Sequence, residues 1–254
     1  MPDNTLLVGS LSGLNIYDDQ SDKFSVWNTT SPHPLKSDFI HCLLVEKGLI
    51  WIGTESGGVA MVVPRQLLLQ NYVHTASSNS ISPNPINAMY VEPDGTLWVG
   101  TVEGGLNRKE KGKQTFEHFT KENSALSHNS VSALVADDKG HLWTGTWGGG
   151  LNVVDLFSRV VQRVEMTADH ARLTNFIGAL AYDAINDALW IGSNDGVFLY
   201  DLKTKQLTEP FDDCQLIRGC IGSVIDKDGV LWVGCMRGVC AIDLKSRKGG
   251  KFRD

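Results

Sequence analysis

The sequence predicts an all-β fold, a β-propeller of about six four-stranded blades, and three observations carry that expectation. The first is a phrase of an aliphatic residue, usually a tryptophan, an aliphatic residue and a glycine, which returns six times. Its copies are Leu6-Leu7-Val8-Gly9, Ile50-Trp51-Ile52-Gly53, Leu97-Trp98-Val99-Gly100, Leu142-Trp143-Thr144-Gly145, Leu189-Trp190-Ile191-Gly192 and Leu231-Trp232-Val233-Gly234. The second is its period: the glycines are 44, 47, 45, 47 and 42 residues apart, the length of a blade of about four strands. The third is composition, with 42% apolar residues for a large core and 26 glycines for many tight turns.

The elements follow in order within each repeat. Val131–Ala136 is a first strand rich in β-formers, and Asp137 to Gly140 is a turn whose glycine supplies positive φ. His141–Thr146 is the second strand, Trp147 to Gly149 a hairpin, residues 151–155 a third strand and residues 160–164 a fourth. The first strands at 40–45, 86–91, 131–136, 177–182 and 221–225 are nearly continuously apolar, so they must be covered on both faces. Their third positions hold the small residues Cys42, Ala88, Ala133, Ala179 and Ser223, which suits crowding near a propeller axis. The tryptophans one strand further out are packing residues that offer a flat surface to the adjacent blade.

The first repeat opens at Thr5 inside a second strand, and the last reaches the start of its fourth strand near Phe252. Residues 1–254 therefore read as a single β-propeller domain of six repeats with the first and last blades incomplete. The expectation is a segment of a larger propeller array, with an irregular six-bladed ring as the alternative.

Charge and motif content narrow the function. A net charge of −6 and the lack of a basic run argue against nucleic acid. No apolar run is long enough to span a membrane, and no secretory signal peptide follows Met1. The five cysteines are odd in number and carry no CxxC, so they read as small buried hydrophobes. In an oxidising compartment Cys214 with Cys220, or Cys235 with Cys240, are the candidate bridges. The seven histidines are dispersed, with no HExxH and no metal spacing, and no nucleophile elbow occurs. No cofactor and no metal are expected, and the reading is of a protein that is not an enzyme.

Two stretches carry a family resemblance. They are Asn129-Ser-Val131 with Asp138-Lys-Gly-His-Leu-Trp-Thr-Gly-Thr-Trp-Gly-Gly-Gly-Leu-Asn152, and Pro93-Asp-Gly-Thr-Leu-Trp-Val-Gly-Thr-Val-Glu-Gly-Gly-Leu-Asn107. Both resemble the two-component regulator propeller repeats of bacterial sensor proteins, with their acidic turn, LW-x-GT and GGL followed by a polar residue. Repeats one, five and six depart from the pattern at Leu7, Ser193 and Cys235. The resemblance implies an extracytoplasmic, commonly periplasmic sensor domain, fused through a membrane helix to an output module such as a histidine kinase or diguanylate cyclase. No motif of that output is present.

Topology, not motif, gives the candidate site. In a meander the second-to-third hairpins and the fourth-to-first connections emerge on one face. That face gathers Glu55, Glu103, Trp147, Asn194, Asp195 and Arg237 from hairpins, and Lys36, Asn84, His128, Asn129, Arg172, Asn175 and Arg218 from connections. Glu103, Trp147, His128, Asn129 and Arg237 are the candidate ligand-binding residues. Trp147 either stacks on a ligand ring or lies flat over the neighbouring blade. The charged turns at 18–23, 109–113 and 203–205 on the other face read as solvated. The leading expectation is a non-enzymatic sensor domain binding a small molecule, such as a saccharide, or a partner protein. The alternatives are a rigid interaction scaffold that forms a homodimer, and a propeller lyase or glycosidase.

Overall fold

The computed structural model describes residues 5–64, 68–83, 85–166, 173–210, 219–225, 228–236, 238–245 and 251–253. The strands form six antiparallel sheets, the blades of an all-β propeller. The chain divides into two compact units, Met1–Phe119 and Thr120–Asp254.

The first unit holds three blades. Blade 1 is β1 (Leu7–Ser10), β2 (Gly13–Asp18) and β3 (Lys23–Trp27). Blade 2 is β4 (Ile40–Glu46), β5 (Leu49–Thr54), β6 (Val59–Val63) and β7 (Leu68–Tyr72). Blade 3 is β8 (Ile86–Val91), β9 (Leu97–Thr101), β10 (Leu106–Lys109) and β11 (Glu117–Phe119). The second unit holds the other three. Blade 4 is β12 (Val131–Ala136), β13 (His141–Thr146), β14 (Gly150–Asp155) and β15 (Val161–Arg163). Blade 5 is β16 (Ile177–Asp183), β17 (Ala188–Ser193), β18 (Val197–Asp201) and β19 (Leu207–Thr208). Blade 6 is β20 (Cys220–Ile225), β21 (Val230–Cys235), β22 (Gly238–Asp243) and β23 (Lys251–Arg253).

Each element of the recurring phrase has a physical task. Its glycine lets the next blade approach: a Cβ on Gly53 would lie 2.7 Å from Ile86 Cγ2, and one on Gly145 2.5 Å from Ile177 Cγ2. The following threonine closes the hairpin, since Thr54, Thr101 and Thr146 Oγ1 donate to the carbonyls of Gly58, Gly105 and Gly150 at 2.9, 3.0 and 2.9 Å. The asparagine after GGL ties down the preceding connection. Asn107 and Asn152 are fully buried, and their Oδ1 atoms accept the N–H of Ser82 and Ser127, both at 2.9 Å. Left unpaired, such buried groups would destabilise the loop.

The acidic turn serves the tryptophan. Trp98 Nε1 donates to Glu92 Oε1 at 2.7 Å, and Trp143 and Trp190 donate to Asp137 and Asp183 at 3.0 and 3.4 Å. Blade 2 departs from this. Its Lys47-Gly48 turn has both φ angles positive, at 52° and 74°, and the Trp51 indole N–H is buried with no partner.

Between the first and third residues of every innermost strand the register shifts, at Ile40/Cys42, Ile86/Ala88, Val131/Ala133, Ile177/Ala179 and Cys220/Gly222. These bulges twist the strand and shift the ladder register past its second residue. They also correct one sequence reading. The innermost strand of blade 6 starts at Cys220, so the small residue opposite Gly234 is Gly222, not Ser223. The core lies between blades. In the first unit Leu14, Ile50, Ile52 and Ala60 fill the space between blades 1 and 2, and Trp51, Ile86, Leu97 and Phe116 that between blades 2 and 3. In the second unit Trp143, Ile177, Leu189 and Phe198 lie between blades 4 and 5, and Trp190, Cys220, Leu231 and Ile242 between blades 5 and 6.

Candidate functional site

The β13–β14 hairpin brings three of the sequence-predicted residues together. Its Trp147 N–H donates to the Ser130 carbonyl at 2.9 Å, and its Gly148 N–H to the Asn175 carbonyl at 2.8 Å. Gly148 has a φ of 111°, and a Cβ there would touch the His128 ring at 3.3 Å. The Ser130 N–H donates to His128 Nδ1 at 3.0 Å, which assigns the proton of the neutral ring to Nε2. Trp147 also forms a β-bridge with Phe176. Both rings are exposed, at 41% and 48%, so the tryptophan presents surface to solvent.

Asn129 has a different task. Its Oδ1 accepts the Lys121 N–H at 2.8 Å and its Nδ2 donates to Glu122 Oε2 at 3.0 Å. That bond is the main cause holding the Glu122 carboxyl below its ordinary range. Both ends of the carboxamide are thus engaged in the loop that leads into blade 4.

Glu103 lies in the first unit, at a left-handed φ of 59° in the β9–β10 hairpin. Glu55, in the same unit, pairs with His41. Arg237, like Asn84, Arg172 and Arg218, lies outside the described residues.

A cavity opens at the other strand ends of the second unit, between blades 4 and 5. Its volume is about 340 Å³, within the range of small-molecule pockets. Trp143, Val153, Val160 and Leu202 give it an apolar wall, and Asp137, Lys139, His141, Asp155, Gln162 and Lys205 its polar groups. Asp137 organises it. This carboxylate is 1% exposed; Oδ1 accepts the N–H groups of Lys139 and His141, both at 2.9 Å. Oδ2 accepts from His141 Nδ1 at 2.8 Å and Trp143 Nε1 at 3.0 Å. Burial works to raise its pKa, but the hydrogen bonds from His141, Trp143 and Lys139 outweigh it and hold the group ionised.

With Nδ1 committed to a buried carboxylate, Nε2 is the imidazole nitrogen left for a ligand. Lys139 is bound to Asp187 at 2.6 Å, whereas Lys205 makes none of the ion pairs found among the described residues. A carboxylate–imidazole pair is also how hydrolases orient a general base. None of the described residues lining this cavity is a serine, threonine or cysteine. The arrangement is equipped to bind: an apolar wall, one oriented imidazole and one cation.

The sequence marks Asp137 as a turn residue only. The turn is real, and the second carboxylate oxygen does the further work. The one legible signal was the i, i+4, i+6 spacing of Asp137, His141 and Trp143 around a two-strand turn.

Known proteins bear on this fold. The family model for the two-component regulator propeller matches residues 80–103 and 125–148. Among solved structures, the extracellular domain of a hybrid two component system from B. thetaiotaomicron superposes with a TM-score of 0.82 at 19% identity, covering 99% of this chain and 33% of that one. A second such domain from the same organism gives 0.73 at 22% identity, covering 94% and 31%. Virginiamycin B lyase from Staphylococcus aureus gives 0.65 at 13% identity, covering 84% and 68%. At these identities the likeness is one of fold. The chain spans about a third of the length of the two signalling domains. No curated protein sequence matches it. The two stretches that carry the fullest copies of the recurring phrase are the ones that the two-component regulator propeller model matches.

Proposed function

We propose that this chain is a sensing segment of a bacterial signal-transduction protein, and that it binds a small molecule without transforming it. In this reading residues 1–254 act as a single propeller domain, placed outside the cytoplasm and fused to an output module such as a histidine kinase. Among the described residues no helix is long and apolar enough to cross a membrane. The fold likeness to extracellular domains of hybrid two component systems supports the setting. The observation that carries the ligand is the cavity of about 340 Å³ between blades 4 and 5, with His141 oriented by a buried carboxylate above an apolar wall.

A second reading has its own observation. On the hairpin face of the second unit, Trp147, Phe176, Ile221 and Met236 are 41%, 48%, 74% and 82% exposed. Single exposed apolar residues are ordinary, but several on one face suit docking of a partner protein or of a second copy. Here Trp147 and His128 would be contact residues; Glu103, Asn129 and Arg237 are the further candidates that the sequence offers.

One experiment separates the two. The chain is screened by thermal shift against oligosaccharides, amino acids and nucleotides, with its mass measured in solution. A ligand at one hundred times its dissociation constant stabilises by about 2.7 kcal/mol, a rise of roughly 5–10 °C for a domain of this size. The proposal expects that rise to fall away in His141→Ala and persist in Trp147→Ala. No shift from any compound, together with a dimer that Trp147→Ala dissociates, would favour the docking reading.

A further inference from the structure

The first residue of each innermost strand faces the last residue of the second strand. In blades 2 to 5 that pair is an aliphatic residue opposite a hydroxyl residue: Ile40 with Thr54, Ile86 with Thr101, Val131 with Thr146 and Ile177 with Ser193. In blade 6 both members are replaced together, by Cys220 and Cys235. Their Sγ atoms are 3.2 Å apart. Nothing in the packing asks for this double replacement, since an aliphatic residue and a threonine fill the same place in the other blades.

We propose that Cys220 and Cys235 are a modification site, an inter-strand disulfide formed by exchange with a disulfide-bearing oxidant. Facing residues of an antiparallel pair have Cα atoms about 4.5–5.5 Å apart, within the range a disulfide spans. Closing the bond needs the two sulfurs to approach by about 1.2 Å from their present separation. The other pairs are less well placed. Cys240 lies opposite Val233, one diagonal step from Cys235, where side-chain neighbours are about 7–8 Å apart. Cys214 lies outside the described residues.

The two thiols have unequal parts. Cys235 is partly exposed and Cys220 is buried. The hydrogen bond from Cys220 holds the Cys235 thiol down, while that same bond and burial hold Cys220 up. The Cys235 thiolate therefore attacks a sulfur of the oxidant and expels one thiolate. Cys220 then gives up its proton and attacks the Cys235 sulfur of the mixed disulfide, expelling the second. Two thiols lose two protons and two electrons, and the oxidant becomes two thiols. The product ties the innermost strand of blade 6 to its neighbour, beside the Ala181, Trp190 and Leu231 core.

The test uses the whole chain and oxidised glutathione as the disulfide donor. After oxidation, free thiols are alkylated and the protein is digested with trypsin without reduction. Cleavage after Arg218, Lys227 and Arg237 separates Cys214, Cys220, Cys235 and Cys240 onto four peptides. The expected result is peptide 219–227 joined to peptide 228–237. A melting temperature roughly 6–12 °C above that of the reduced chain should accompany it. Cys235→Ser should lose the shift. The double variant Cys220→Ile with Cys235→Thr, which restores the pair of the other blades, should fold and show no response to the oxidant. Peptides 219–227 and 228–237 both recovered alkylated, or Cys220 or Cys235 joined chiefly to another cysteine, would overturn the proposal.

Discussion

Gly178→Ala is expected to destabilise the second unit by about 3–4 kcal/mol, at the upper end of what overpacking costs. A Cβ at this position would lie 1.9 Å from the Cys220 carbonyl oxygen, 3.0 Å from its carbon and 3.4 Å from Ile221 Cα. Every one of these atoms is backbone, so no side-chain rotamer can move aside. The innermost strands of blades 5 and 6 would have to separate, and Trp190, Cys220 and Leu231 would lose contacts in the core they share. The check is urea denaturation of the variant, read as a lower midpoint at unchanged slope. Gly140→Ala is the comparison, because nothing lies within 4 Å of its added Cβ; its cost is limited to the strain of a φ of 85°.

Trp98→Ala should cost the first unit about 3–5 kcal/mol. The ring is fully buried and tilts against Phe119 with centroids 5.5 Å apart. The Arg108 guanidinium sits 5.7 Å from its centroid, and its N–H reaches Glu92. A milder pair of variants isolates the hydrogen bond. Trp98→Phe removes a satisfied donor, whereas Trp51→Phe removes one that is buried and unpaired. Trp98→Phe is therefore expected to cost about 1–2 kcal/mol more than Trp51→Phe. Equal costs for the two would mean that the acidic turns do not stabilise the tryptophans.

The fold was legible because its signals are local and repeated. The sequence predicts the strands of blade 4 at 131–136, 141–146, 151–155 and 160–164, and they stand at Val131–Ala136, His141–Thr146, Gly150–Asp155 and Val161–Arg163. The missed register in blade 6 has a simple cause. Ile221 resembles the isoleucine that opens blades 2, 3 and 5, but the true opening residue is Cys220 and Ile221 is the bulge, 74% exposed.

The site was less legible. His128 and the Trp147 hairpin do come together, whereas hydrogen bonding gives Asn129 to a loop, which sequence alone does not reveal. The cavity joins Asp137 and His141 to Leu202 and Lys205 of the next blade, about sixty residues along the chain. A blade-by-blade reading has no way to bring them together. The cysteine pairing was hidden for the same reason as the register, since strand partners, not spacing along the chain, decide which thiols face each other.

The most direct measurement is hydrogen–deuterium exchange of the chain with and without the compound that most raises its melting temperature. Binding in the cavity predicts slower exchange of peptides covering residues 137–143, 160–163 and 201–206, with the hairpin at 147–149 unchanged. Protection confined to 128–130, 147–149 and 175–176 would contradict it and place the ligand on the hairpin face.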